Sequence, residues 1–182
     1  IGSDVVHSSV NFAGTLTAGG PAAERSAQVT IPLDGLAGAL RAVVTTDAGG
    51  AITEASELNN TAISAGSVAV PLQLRLAADA AQVNENAAAL GFTLTRNGSR
   101  TSALTVNLVS DDTTELEVAA TVDIPAGQAS VRFNGTPKND GIADGDQVVG
   151  VSASAATYAG VSVTVTVKDV NFPVLTLTLP AS

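Results

Sequence analysis

The chain is predicted to be all-β, built as tandem antiparallel β-sandwiches of immunoglobulin-like type. Three observations lead there. Val161-Ser162-Val163-Thr164-Val165-Thr166-Val167 and Leu72-Gln73-Leu74-Arg75-Leu76 alternate apolar and polar side chains, which sets one face of a strand in a core and the other in water. Turn-forming residues recur between such runs, at Gly19-Gly20-Pro21, Gly49-Gly50, Asn97-Gly98, Asn134-Gly135 and Asp140-Gly141. No stretch keeps a capped helical period, and short strands at intervals of about 8–12 residues are the pattern of a sandwich.

Taken in order, the candidate strands are 28–33, 40–46, 72–76, 90–96, 103–109, 129–134, 147–154 and 161–167. Residues 84–90 and 113–119 come nearest to helical and are assigned no more than turns. Asn97-Gly98 and Asn134-Gly135 are assigned to hairpin turns, because tight hairpins need positive φ. With Asn59 they also head glycosylation sequons, which matter only in a glycosylating source. Glu54-Ala55-Ser56-Glu57-Leu58-Asn59-Asn60 closes one pattern and Val70-Pro71-Leu72 opens another, so the domains are set at 1–68 and 69–171. Val170-Asn171-Phe172-Pro173 marks a second junction. Pro173-Val174-Leu175-Thr176-Leu177-Thr178-Leu179 then echoes Pro71–Leu76 one domain later, so 172–182 is expected to be the first strand of a following repeat or a C-terminal extension. Ile1 in place of Met, with no apolar leader after it, is what a fragment or a processed chain would show.

A chain of 182 residues allows one large or two small domains. Its apolar residues are mostly Ala and Val and its aromatics only 3%. Cores of this kind bury little area per residue, so each domain is expected to be modestly stable unless something staples it. There is no Cys, which leaves a metal rather than a disulfide for that role. The net charge of −9 argues against binding nucleic acid or an anionic membrane surface, for which a basic face is the usual footprint. No apolar run approaches the roughly 18–20 residues of a transmembrane helix.

The acids are not spread evenly. Glu85, Asp111, Asp112, Asp140, Asp144, Asp146 and Asp169 fall at the ends of predicted strands, in a segment otherwise written in Val, Thr, Ala and Leu. Loops from several strands converge at one end of a sandwich, and Ca²⁺ takes roughly 6–8 oxygen ligands, chiefly carboxylates and carbonyls. Two plainer readings compete: the acids serve solubility, and Asp144-Gly145-Asp146 is a tight turn, since it lacks the closing Glu of a twelve-residue calcium loop. Glu54, Glu57, Asn59 and Asn60 are either a second acidic site or the solvated end of a strand.

Catalytic chemistry finds no foothold. His7 is the only histidine; Ser8 and Ser9 adjoin it, but sequence neighbours do not make a triad. A zinc-type ligand set and a phosphate-cradling glycine loop are both lacking. Paired carboxylates can cleave glycosides, yet Tyr158 is the only Tyr and there is no Trp to floor a sugar site. The chain is therefore expected not to be an enzyme.

Residues 72–171 resemble a Calx-beta-type repeat of bacterial surface proteins. The resemblance is carried, in order, by Gln82-Val83-Asn84-Glu85-Asn86, by Leu108-Val109-Ser110-Asp111-Asp112-Thr113-Thr114-Glu115, by Val122-Asp123-Ile124-Pro125-Ala126-Gly127-Gln128, by Asn139-Asp140-Gly141-Ile142-Ala143-Asp144-Gly145-Asp146, and by Val167-Lys168-Asp169-Val170-Asn171. It implies Ca²⁺ at one tip, with Glu85, Asp111 or Asp112, Asp140, Asp144 and Asp169 as ligands. Two departures weaken the implied site. Asp169-Val170-Asn171 offers one acid and one amide where the family often has a run of Asp, and Asn139-Asp140 offers one acid where two would bind harder. Residues 1–66 resemble the later half of the cell-adhesion-related domain of bacteria, CARDB, through Gly14-Thr15-Leu16-Thr17-Ala18-Gly19-Gly20, Ile31-Pro32-Leu33, Val43-Val44-Thr45-Thr46-Asp47 and the closing Glu54–Asn60 segment.

Together these imply a non-catalytic structural or adhesion segment of a large extracellular or cell-surface bacterial repeat protein, rigidified by calcium. Its expected partners are neighbouring repeats of the same protein and other copies of the chain. Two alternatives stand beside it. One is a filament subunit, in which 173–179 completes the first domain of a neighbour by strand addition. The other is a carbohydrate-binding accessory module of a secreted enzyme, against which the scarcity of aromatics counts.

Overall fold

The computed structural model describes residues 26, 28, 29, 35–47, 49, 50, 53, 58 and 60–173. The chain divides into Ile1–Pro32 and Leu33–Ser182. Within the first, Ser26, Gln28 and Val29 are described and lie in no strand. The strand predicted over 28–33 falls mostly outside the described residues, and the one predicted over 173–179 almost wholly so. The secondary structure described is all-β, as the alternation predicts, with thirteen strands, all in the second unit.

The first four strands form a narrow antiparallel ribbon. β1 (Gly38–Leu40) pairs with β4 (Val68–Val70), and β2 (Val43–Thr45) pairs with β3 (Thr61–Ile63). The predicted strand 40–46 is thus broken at Arg41-Ala42. Ser64 fills the break: its N–H donates to the Ala42 carbonyl (2.8 Å) and its hydroxyl accepts from the Ala42 N–H (3.0 Å).

The remaining nine strands make a sandwich: β5 (Leu74–Ala78), β6 (Gln82–Asn84), β7 (Leu90–Arg96), β8 (Leu104–Ser110), β9 (Leu116–Val118), β10 (Thr121–Ile124), β11 (Ser130–Pro137), β12 (Gln147–Ser154) and β13 (Val161–Lys168). One sheet runs β10-β8-β12-β13-β6 and the other β5-β7-β11-β9. The strand pairings are antiparallel but for one at a sheet edge. β5 and β6 are successive pieces of a run that changes sheet across residues 79–81, so β6 lies parallel to β13, from Gln82 beside Thr166 to Asn84 beside Lys168.

Alternation along the strands builds the core between the sheets. Phe92, Leu94, Val106, Leu116, Ile124, Val149, Val151, Val165 and Val167 are fully buried. Phe92 stacks on Phe133 with ring centroids 5.2 Å apart, so two of the four phenylalanines are spent on one contact. Gly135 sits in this layer for lack of room: a Cβ there would come within 3.0 Å of the Phe92 ring and 3.1 Å of Leu116.

Both hairpin assignments are corrected. Asn134-Gly135 lies inside β11, opposite Gly91 and Leu90 of β7. Asn97-Gly98 follows β7, but the next strand, β8, belongs to the other sheet, so the chain crosses over rather than folding back. Asn97 has a non-local task instead. Its side chain is buried, accepts from the Gln73 N–H (2.7 Å) and donates to the Pro71 carbonyl (2.8 Å), while its own carbonyl accepts from the Tyr158 hydroxyl (3.1 Å). Arg96, beside it, is 3% exposed and donates to the carbonyls of Ser102 (2.9 Å), Gln128 (3.2 Å) and Pro125 (3.4 Å). This closes one pole of the sandwich.

Candidate cation site

The opposite pole gathers the acids. Glu115 stands just before β9, and its carbonyl accepts from the Lys138 N–H (2.8 Å), which prolongs the β9–β11 ladder and fixes its backbone. The residue is 8% exposed. The loop 138–146 then leaves β11 through two Asx turns, Gly141 N–H to Asn139 Oδ1 (2.9 Å) and Ile142 N–H to Asp140 Oδ1 (2.8 Å). Gly141 and Gly145 take φ of +77° and +92°, a region where a side chain would be strained. These turns bring Asp140 and Asp144 over Glu115, so that one oxygen from each of the three carboxylates lies within 4.8 Å of the others.

Glu115 is the electrostatic centre of the pole. Burial holds its carboxyl above the usual range, and the negative charges of Asp144, Asp112, Asp140 and Glu85 push it the same way. Among the described residues no hydrogen-bond donor is paired with that carboxylate. No side-chain nitrogen or oxygen wholly out of solvent is left unpaired among the described residues, so the Glu115 oxygens reach the surface. A buried anion with no donor, faced by two further carboxylates and open on one side, is a poor protein contact and a good place for a hard cation.

The other predicted ligands have protein partners. Glu85, 4% exposed, accepts from the Val170 N–H (3.1 Å) and from the Asn171 amide through the same oxygen. Asp111 accepts from the Gly150 N–H (2.7 Å). Asp112 accepts from the N–H (3.0 Å) and hydroxyl (2.5 Å) of Thr114, which holds its carboxyl below the usual range. Asp169 accepts from the Gly145 N–H (2.8 Å) and the Asn171 N–H (2.6 Å). Asp146, a strand-end acid outside the predicted ligand set, pairs with Lys168, which lowers its carboxyl too. Of the six predicted ligands, then, Asp140 and Asp144 come together with a common partner, and Glu85 and Asp112 bear on that partner through space. Glu115 was no part of the sequence-based ligand set, although it ends the Asp111–Glu115 acidic segment. Its signal is the following Leu116, wholly buried, which marks where the turn becomes a strand.

No family model and no curated protein matches the chain. Among solved structures it is similar to an apo-form Calx CBD1 domain, at 16% identity and TM-score 0.42, over 53% of this chain and 97% of that one. It is also similar to the calcium binding domain CBD12 of CALX1.1, at 14% identity and TM-score 0.39, over 52% of this chain and 44% of that one. Nothing comparable supports the resemblance of residues 1–66 to CARDB, much of which lies outside the described residues.

Proposed function

We propose that residues 69–171 form a non-catalytic Ca²⁺-binding module within a structural or adhesion segment of a large extracellular bacterial repeat protein. One observation carries the reading: Glu115 is buried, unpaired with any described donor, and capped by Asp140 and Asp144. Leaving that arrangement empty is costly at Glu115, whose carboxyl is pushed up by burial and by the negative charges of Asp144, Asp112 and Asp140. A divalent ion turns the repulsion into attraction and ties β9 to the 138–146 loop. The donor set fits a hard cation. Three carboxylates supply the charge, and carbonyls or water complete the roughly 6–8 oxygens Ca²⁺ prefers. Mg²⁺ asks for a tighter octahedron and parts reluctantly with its own water, so the module should discriminate against it.

The mechanical role proposed for the ion follows from where the chain runs. It reaches the sandwich at the closed pole, through Pro71 and Gln73, and leaves β13 at the acidic one, beside Glu85 and the 138–146 loop. An ion there would stiffen the exit towards a following repeat. Domains at 1–68 and 69–171, and neighbouring repeats as partners, belong to the same proposal. The test is thermal unfolding in EDTA, in Ca²⁺ and in Mg²⁺, with Glu115→Gln as control. A rise in midpoint specific to Ca²⁺ and absent in the variant supports the reading, and an equal midpoint in all three solutions rejects it.

A further inference from the structure

The acidic pole is divided. One part, Glu115 with Asp140 and Asp144, presents carboxylates to the surface. The other, around Glu85, is hydrogen-bonded by the exit segment that follows β13. Glu85 is the more deeply buried of the two glutamates, at 4% against 8%. A carboxylate so placed needs charge or donors to offset its lost hydration. It receives the Val170 N–H and the Asn171 side-chain amide on one oxygen. The same amide nitrogen also donates to Asn139 Oδ1 (3.3 Å), at the root of the 138–146 loop. Next to it, the Lys168 ammonium meets Asp146, and Asp169 is taken up by the N–H groups of Gly145 and Asn171.

We propose that the Asn171 amide stands in for a cation at Glu85, so that this pole holds one Ca²⁺ where an acid at position 171 would make it hold two. This rests on the reading of Glu115, Asp140 and Asp144 as the cation site. The physical basis is that an amide N–H₂ turns the positive end of its dipole to two oxygens at once, as a metal would, but without a full charge. It bridges Glu85 to Asn139 and so docks residues 169–171 on the pole with no ion present. An Asp at 171 has no hydrogen to give and would put a second anion against the buried Glu85. Only a cation could then hold the three parts together.

Isothermal titration with Ca²⁺ on the full chain tests this, paired with thermal unfolding in EDTA. The expected stoichiometry is one ion for the native chain and two for Asn171→Asp. It is none for Glu115→Gln and one for the double variant. In EDTA, Asn171→Asp and the uncharged Asn171→Ala should both unfold at lower temperature than the native chain. An Asn171→Asp chain that still takes one ion overturns the stand-in while leaving the Glu115 site intact. A native chain that takes none overturns the Glu115 reading instead. An Asn171→Ala midpoint in EDTA equal to the native one also overturns the proposal, whatever the titrations give.

Discussion

The two poles of the sandwich handle buried charge in opposite ways. At the closed pole Arg96 is almost wholly buried, and three backbone carbonyls surround its guanidinium. At the acidic pole Glu115 is nearly as deep and has no donor among the described residues. The first charge is satisfied within the chain and its task is structural. The second has no partner among the described residues, which is why the cation is proposed there and why depth of burial alone does not distinguish a fastening from a site.

The largest effect that would sharpen this contrast is at the closed pole. Arg96→Ala leaves the Ser102 and Gln128 carbonyls without their side-chain donor, while Pro125 keeps the Gln128 N–H (3.1 Å), and should cost about 3 kcal/mol, by the same amount in EDTA and in Ca²⁺, as read by chemical denaturation. A Ca²⁺-dependent cost would mean that the poles are coupled. Asn97→Ala should follow at about 2 kcal/mol, for the two backbone groups it leaves unpaired, again without regard to Ca²⁺. For the native chain, Ca²⁺ at 100 times its dissociation constant should add about 2.7 kcal/mol.

Dependence on pH separates two kinds of carboxylate within the acidic pole. The Glu115 carboxyl is raised in the folded chain, so without metal the fold binds the extra proton and stability falls as pH rises from the ordinary value of 4.5 through the folded one. Asp112 and Asp146 are lowered, so their contribution is present above their ordinary value of 3.8 and is lost as pH falls below it. In EDTA, Glu115→Gln should therefore gain on the native chain as pH is raised past 4.5, seen as a growing difference in midpoint. In saturating Ca²⁺ the native chain should gain on the variant instead. A difference that ignores pH would contradict the charge-crowding account. The smallest effect serves as a baseline. The exposed Arg132–Asp79 pair should show a coupling of about 1 kcal/mol or less in a double-mutant cycle.

The long strands were legible because period two is visible over seven or eight residues. The alternation of 147–154 is β12, and those of 90–96 and 161–167 are β7 and nearly all of β13. β3, β4, β6, β9 and β10 have three or four residues each, too few for a period to show, and they owe their pairing to longer neighbours. Asn97-Gly98 misled because a hairpin and a crossover can begin with the same dipeptide, and the difference lies in Pro71 and Gln73, 24 residues or more upstream. The acidic pole was legible in outline, since Asp140-Gly141 and Asp144-Gly145 mark a loop with carboxylates to present. Its division was not. Which acids are consumed by N–H groups, by Lys168 and by Asn171 depends on strand ends far apart in sequence, and Glu115 becomes buried only when β9 closes on β11.

The most direct measurement is a crystal structure of the chain grown in Ca²⁺, with anomalous difference density to place the ion. A peak within about 2.3–2.6 Å of the carboxylates of Glu115, Asp140 and Asp144, with Asn171 still bridging Glu85 and Asn139, is the expected result. A pole with no peak at saturating Ca²⁺, or an ion seated on Glu85 and Asp169 with Asn171 displaced, would contradict it.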